Sequence, residues 1–182
     1  MEDVRRVVTG HSPDGKSVFV SEEKVVAASM GQGSVGGFHQ LWGGDEAPTF
    51  PDAGHQPAQG AFFPPVGGYR FLVVTMPPSG PRRAPAGNTD TVGSEMERRF
   101  PGLSSHMEQD NPGMHTTDTI DFEYIVSGEI VLELDDGAEV VLHAGDTVVQ
   151  NGTRHRWSNR SQEPAVYVAF LLGAHRKEAT AL

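Results

Sequence analysis

The chain has 182 residues, with 14 lysines and arginines against 24 aspartates and glutamates, a formal net charge of -10 at pH 7, and no cysteine. This length favours one hydrophobic core, and so acidic a surface argues against nucleic acid as a partner. The missing thiols exclude disulfides, zinc–thiolate sites and a cysteine nucleophile.

Met1 to Thr9 carries Glu2, Asp3, Arg5 and Arg6 where a signal peptide needs an apolar run, and no transmembrane run follows, so the expectation is a cytoplasmic protein with no membrane partner. The 22 glycines and 13 prolines interrupt the sequence too often for long helices, which makes the expected class mainly β. In the N-terminal half, strands are predicted at 5–8, 17–20, 37–42 and 69–76. Residues 43–68 and 77–91, rich in Pro, Gly and Ala, predict loops, a lid or an arm crossing a partner subunit, and only 93–100 has a helical pattern. From Asp121 onward, apolar runs alternate with turns at Ser127-Gly128, Asp135-Asp136-Gly137, Ala144-Gly145-Asp146 and Asn151-Gly152. They predict strands at 120–126, 129–134, 139–142, 147–149 and 165–172, each antiparallel to its neighbour in the chain. The expected organisation is one structural domain in two parts. Residues 1–100 supply strands, irregular loops and a short helix that complete or cover a barrel, and residues 101–182 form its core.

Strand parity sorts the side chains. Asp121, Glu123 and Ile125 share one face, and Phe122, Tyr124 and Val126 the other. A hairpin turn at Ser127-Gly128 pairs Ile125 with Ile130, Glu123 with Leu132 and Asp121 with Leu134, which marks the first face as interior. Two carboxylates inside an apolar barrel require a metal, a base or a ligand, and burial raises the pKa of a lone acid. A register shifted by one residue would turn both to solvent instead.

Among eight histidines, His11, His55 and His175 lie in polar or Pro/Gly-rich surroundings, His143 adjoins a turn, and no pattern places His39 or His106. His115 leads into the strand of Asp121, and His155 follows the Asn151-Gly152 turn with the parity of Trp157. Two imidazoles and a carboxylate are a donor set suited to Fe(II), Mn, Ni or Zn.

The stretch from Pro112-Gly113-Met114-His115 through Thr117 and Asp121 to Gly128 resembles the first motif of the cupin superfamily, G-x5-H-x-H-x3,4-E-x6-G. Gly145 to Asn159 resembles the second, G-x5-P-x-G-x2-H-x3-N. His115 stands at the first histidine of the first motif, His155 at the histidine of the second, and Asp121 at the glutamate. Thr117 stands at the second histidine and Gln150 at the proline, and the second motif is one residue short between Gly145 and Gly152.

The resemblance implies a single cupin-type antiparallel β-barrel (jelly roll), a homodimer, a small organic substrate and a divalent metal (Fe, Mn, Ni or Zn) on His115, Asp121 and His155. It implies a metal-dependent enzyme of dioxygenase, decarboxylase, isomerase or cyclase type. His115, His155 and Glu123 are the expected catalytic residues. Glu123 is the expected general acid or base, because burial lifts its pKa toward neutrality. Thr117, Gln150 and Trp157 are expected to meet substrate. Two alternatives stay open: metal-free acid–base chemistry of lyase, isomerase or cyclase type on the same residues, and a non-catalytic module that binds a small ligand.

Overall fold

A computed structural model of the chain describes residues 2–29, 36–79 and 97–177. They are mainly β, as the Gly/Pro punctuation predicts. The strands are β1 (Val4–His11), β2 (Ser17–Val25), β3 (Ala28–Ser29), β4 (Gly37–Gly44), β5 (Tyr69–Met76), β6 (Thr119–Ser127), β7 (Glu129–Glu133), β8 (Glu139–His143), β9 (Thr147–Gln150), β10 (Arg156–Ser158) and β11 (Ala165–Gly173). β3 and β10 are too short to leave a periodic signal. Residues 97–99 are helical; the rest of the helix expected at 93–100, and most of the loop expected at 77–91, lie outside the described residues. Among the described residues no helix is long and apolar enough to cross a membrane.

The strands form a six-stranded sheet in the order β3-β4-β5-β11-β6-β9, a three-stranded sheet β10-β7-β8 and a separate β1-β2 hairpin. Their ladders do not close around a barrel, so the jelly roll is a sandwich whose two larger sheets share one core. Leu72, Val74, Ile125, Ala169 and Leu171 of the large sheet belong to the same buried cluster as Ile130, Leu132 and Leu142 of the small one.

One expectation is corrected here. β6 and β7 follow each other in the chain but do not pair; β6 lies between β11 and β9, and β7 between β10 and β8. At Gly128, where φ is 78°, the chain crosses from one sheet to the other, hard against β11: a Cβ there would lie 2.8 Å from Ala165 Cα and 2.9 Å from the Pro164 carbonyl oxygen. Asp121 therefore pairs with Leu171 and Gln150 and not with Leu134, which is exposed. The division into faces survives, because both strands turn the expected side chains into the shared core. Asp121, Glu123, Ile125, Ile130 and Leu132 are buried, while Phe122, Tyr124 and Val126 are exposed.

The irregular stretch after β4 is fixed by a buried arginine on β5. Arg70, 2% exposed, donates to the carbonyl oxygens of Gly44, Ala61, Phe62 and Tyr69 and pairs with Asp45 at 2.6 Å. A planar guanidinium with five donors suits a site where several backbone carbonyls converge without other partners. This clamp seats Phe62 against Phe38 and Phe100, with ring centroids 5.0 and 5.6 Å away.

Candidate functional site

β6 delivers Thr119, Asp121 and Glu123 to the interior, and Thr117 precedes them; all four are buried. The hydroxyls of Thr117 and Thr119 hydrogen-bond each other at 2.8 Å, and Thr119 also hydrogen-bonds the Asp121 carboxyl. Asp121 Oδ1 and Glu123 Oε2 are buried with no hydrogen-bond partner. Burial pushes the Asp121 carboxyl up to about 6. Glu123 is pushed further, to about 8, by burial and then by the neighbouring Asp121 charge. Glu123 is thus a buried carboxylic acid at neutral pH, with one oxygen offered to the interior.

His115 and His155 meet at an isolated antiparallel bridge, and their rings lie 4.1 Å apart. His115 Nδ1 lies 3.0 Å from the Gly113 carbonyl oxygen and His155 Nδ1 2.8 Å from that of Thr153. A carbonyl oxygen only accepts, so each Nδ1 carries the proton and each neutral ring keeps its lone pair on Nε2. Burial lowers the pKa of both. His155, which also feels His115, falls to about 4. Two uncharged imidazoles with fixed tautomers result.

The turn behind His155 comes in close because residue 152 is glycine. With φ at 60°, a Cβ there would meet the carbonyl oxygens of Thr117 and Thr119 at 2.8 and 3.0 Å. Arg176 bridges the same junction, donating to the carbonyl oxygens of Thr117 and Gly152.

The structure thus brings His115 to His155, and Asp121 to Glu123. Among the described residues, however, no three His, Cys, Asp or Glu side chains gather where a metal ion is held. The set His115, Asp121 and His155 remains the ligand set that the resemblance implies: the histidines meet on the 115–155 bridge, and the Asp121 carboxyl on β6 is hydrogen-bonded by Thr119. Catalytic metal sites usually bring three protein ligands, and the described residues show no such group of three drawn together.

Gln150 is buried opposite Asp121, with its amide nitrogen donated to Thr153. Trp157 packs against the core, edge-on to His155 at 6.3 Å and stacked on Tyr167 at 5.6 Å. Tyr167 escaped the sequence reading. It lies on β11 opposite Ile125, and its hydroxyl is held above its ordinary pKa by burial and then by the charges of Glu123 and Asp121. Its signal was its parity in 165–172, but only the non-local β6–β11 pairing brings it to the carboxyls. On the His115 side, the Phe63 ring lies 6.4 Å from His115 and 4.7 Å from His106. Phe63 and His106 line an open cavity of about 580 Å³ with Asp118, His175 and Arg176.

Residues 107–171, which hold all of these groups except Phe63, Arg70, His106 and the 174–176 segment, match the family model described as "Cupin domain". The chain carries a cupin domain. Two curated relatives are similar to parts of the chain. "Phomopsin biosynthesis cluster protein C'" of Diaporthe leptostromiformis is 50% identical over 48 residues, 26% of this chain and 25% of its own length. "Oryzines biosynthesis cluster protein J" of Aspergillus oryzae is 39% identical over 62 residues, 32% of this chain and 35% of its own. The matches thus span a quarter to about a third of these relatives' length. Among solved structures, a Cupin 2 conserved barrel domain protein from Salinispora arenicola superposes with a TM-score of 0.40 at 17% identity, covering 76% of each chain. A putative ethanolamine utilization protein from Salmonella typhimurium gives 0.43 at 10% identity, covering 96% of this chain and 100% of its own.

Proposed function

We propose that the cupin domain is the reaction chamber of a small-molecule enzyme that moves protons at a carbon acid beside a carbonyl group, in an isomerisation, elimination or cyclisation. One observation carries the reading: a neutral carboxylic acid, Glu123, with a buried oxygen lacking any protein partner, occupies the same domain interior as two neutral imidazoles with free Nε2 lone pairs. An imidazole Nε2 takes the proton from carbon. Glu123 donates its own proton to the carbonyl oxygen, so that an enol forms without a full negative charge in an apolar chamber. Return of the enol proton to Glu123 as the imidazolium gives its proton to a different carbon completes an isomerisation; return of the enol proton to Glu123 as the leaving group departs from the β-carbon with the imidazolium proton completes an elimination. An acid whose pKa lies near 8 suits the donor role, and the imidazoles stay uncharged near neutrality, so their Nε2 lone pairs are open to a proton. Burial first, and then the charge of Asp121, keep Glu123 protonated.

The two relatives bear the names of biosynthesis clusters, which supports a biosynthetic intermediate carrying a carbonyl group as the substrate class. The donor set routes no step through a metal.

The test is hydrogen–deuterium exchange into a panel of small carbonyl compounds in D2O, followed by NMR. Catalysed exchange at the α-carbon that falls at least a hundredfold in His155→Ala and in Glu123→Gln is the expected result. Saturable binding without exchange in any compound would replace catalysis by ligand binding.

A further inference from the structure

The hydroxyl of Tyr167 holds nothing in the fold together. The residue is 7% exposed, beside Glu123 at 6% and Asp121 at 5%, yet no described residue hydrogen-bonds the hydroxyl, and Glu123 Oε2 and Asp121 Oδ1 are likewise without partners. Polar groups inside proteins are nearly always bonded, so three unspent polar ends on one wall of the chamber point to a partner that comes from outside the chain.

The fold aims the tyrosine at this wall. On β11 the inward residues Tyr167, Ala169 and Leu171 pair with Ile125, Glu123 and Asp121 of β6. A bulge sets that register: Val166 pairs with Ser127, and Tyr167 passes over the outward Val126 to reach Ile125. Bulges re-aim side chains in this way beside functional sites. Directly opposite Glu123 stands only the methyl group of Ala169, which leaves room along the wall, and diagonal neighbours in an antiparallel pair are within reach of an aromatic side chain. The ring of Tyr167 is held by its stack on Trp157 of the small sheet, 5.6 Å away and 24° from parallel, and Trp157 stands edge-on to His155 at 6.3 Å. The Trp157–Tyr167 stack thus links the carboxyl wall to the imidazole pair across the two sheets.

We propose that Tyr167 is a catalytic residue that donates a hydrogen bond to the carbonyl oxygen of the substrate beside Glu123, so that the two form a two-donor oxyanion site. The inference rests on the proton-transfer reading above. As an imidazole takes the proton from the α-carbon, the C–H electron pair becomes the C=C bond and the carbonyl π pair moves to oxygen. Glu123 transfers its proton to that oxygen, and Tyr167 donates to it without losing its own. Burial, and then the charges of Glu123 and Asp121, hold the tyrosine above its ordinary pKa and keep it a donor.

Tyr167→Phe removes one oxygen and keeps the ring on Trp157. The probe is 4-nitrophenol, whose oxygen resembles that of an enol. The wild type is expected to bind it saturably, and Tyr167→Phe about tenfold more weakly. In the α-carbon exchange assay kcat of the variant should fall about a hundredfold, with KM changed by less than about threefold, because the oxygen gains its charge only in the transition state. Its thermal midpoint should be no lower than that of the wild type, since no protein acceptor loses a donor. Unchanged probe affinity and kcat in Tyr167→Phe overturn the proposal and leave the proton-transfer reading standing. A loss of both together with several degrees of thermal stability makes the hydroxyl structural and overturns it too, as does a wild type that does not bind the probe. A wild type that binds the probe but exchanges no substrate proton overturns the proton-transfer reading, and with it the part of Tyr167 in catalysis.

Discussion

The backbones of His115 and His155 hold each other in both directions: each N–H donates to the other's carbonyl oxygen at 2.9 Å, and the two rings are 4.1 Å apart. The pair is built from two segments 40 residues apart in number, so it exists only in the folded chain. Its pH dependence follows. Folding lowers His155 from 6.5 to about 4, so between those values the unfolded chain binds a proton that the folded chain does not. Stability from this residue is full above pH 6.5 and is lost as the pH falls toward 4, by at most about 1.4 kcal/mol per pH unit. Urea unfolding of wild type and His155→Gln across this window should give a difference curve of that sign.

Glu123 acts in the opposite sense. Its folded pKa is raised from 4.5 to about 8, so the folded chain binds the extra proton and stability is lost as pH rises through that interval. As the pH rises well past 6.5, His155 loses its charge in the unfolded chain as well and masks the effect less and less. The unfolding free energy of the wild type should therefore decline between pH 6.5 and 8, whereas that of Glu123→Gln should not. The variant should be the more stable protein at pH 8.

Arg70 ties four carbonyl oxygens and Asp45 together from a fully buried position. Replacing it with leucine leaves those acceptors and a carboxylate without their donor. The expected cost is about 3–5 kcal/mol in denaturant unfolding. Arg70→Lys should recover little, since one ammonium cannot reach acceptors spread around a planar fork.

Among the described residues no three His, Cys, Asp or Glu side chains gather as a metal site, and two imidazoles alone bind a divalent ion weakly. Overnight treatment with a chelator, followed by thermal unfolding and by the α-carbon exchange assay, should change neither the midpoint nor the exchange rate. A fall in both that zinc, iron or manganese restores would contradict the metal-free account.

The sequence made strand positions and the inward face of β6 legible, because period-2 alternation is local and Asp121, Glu123 and Ile125 stand out against Phe122 and Tyr124. The motif glycines were legible as well, and Gly128 and Gly152 prove to be places where a Cβ would strike neighbouring backbone. Strand pairing was not. A two-residue turn looks the same whether it closes a hairpin or carries the chain from one sheet to another, so the β6–β7 partnership was inferred where β6–β11 and β6–β9 exist. Tyr167 was missed for that reason, since its neighbours come from strands far off in the chain. The ligand set read from the motif is a different matter: matched motif positions specify order along the chain, whereas ligation also depends on how the folded groups converge, and Thr119 hydrogen-bonds Asp121.

The measurement closest to the central claim is a carbon-13 NMR titration of the Glu123 carboxyl, with glutamate selectively labelled and Glu123→Gln used for assignment. Proton transfer in the chamber requires Glu123 to be an acid at neutral pH. The account expects its resonance to shift with a midpoint near 8, while the His155 ring stays neutral down to about 4. A Glu123 midpoint near 4.5, the value of an ordinary glutamate, would leave the chamber without its acid and would contradict the proposed chemistry.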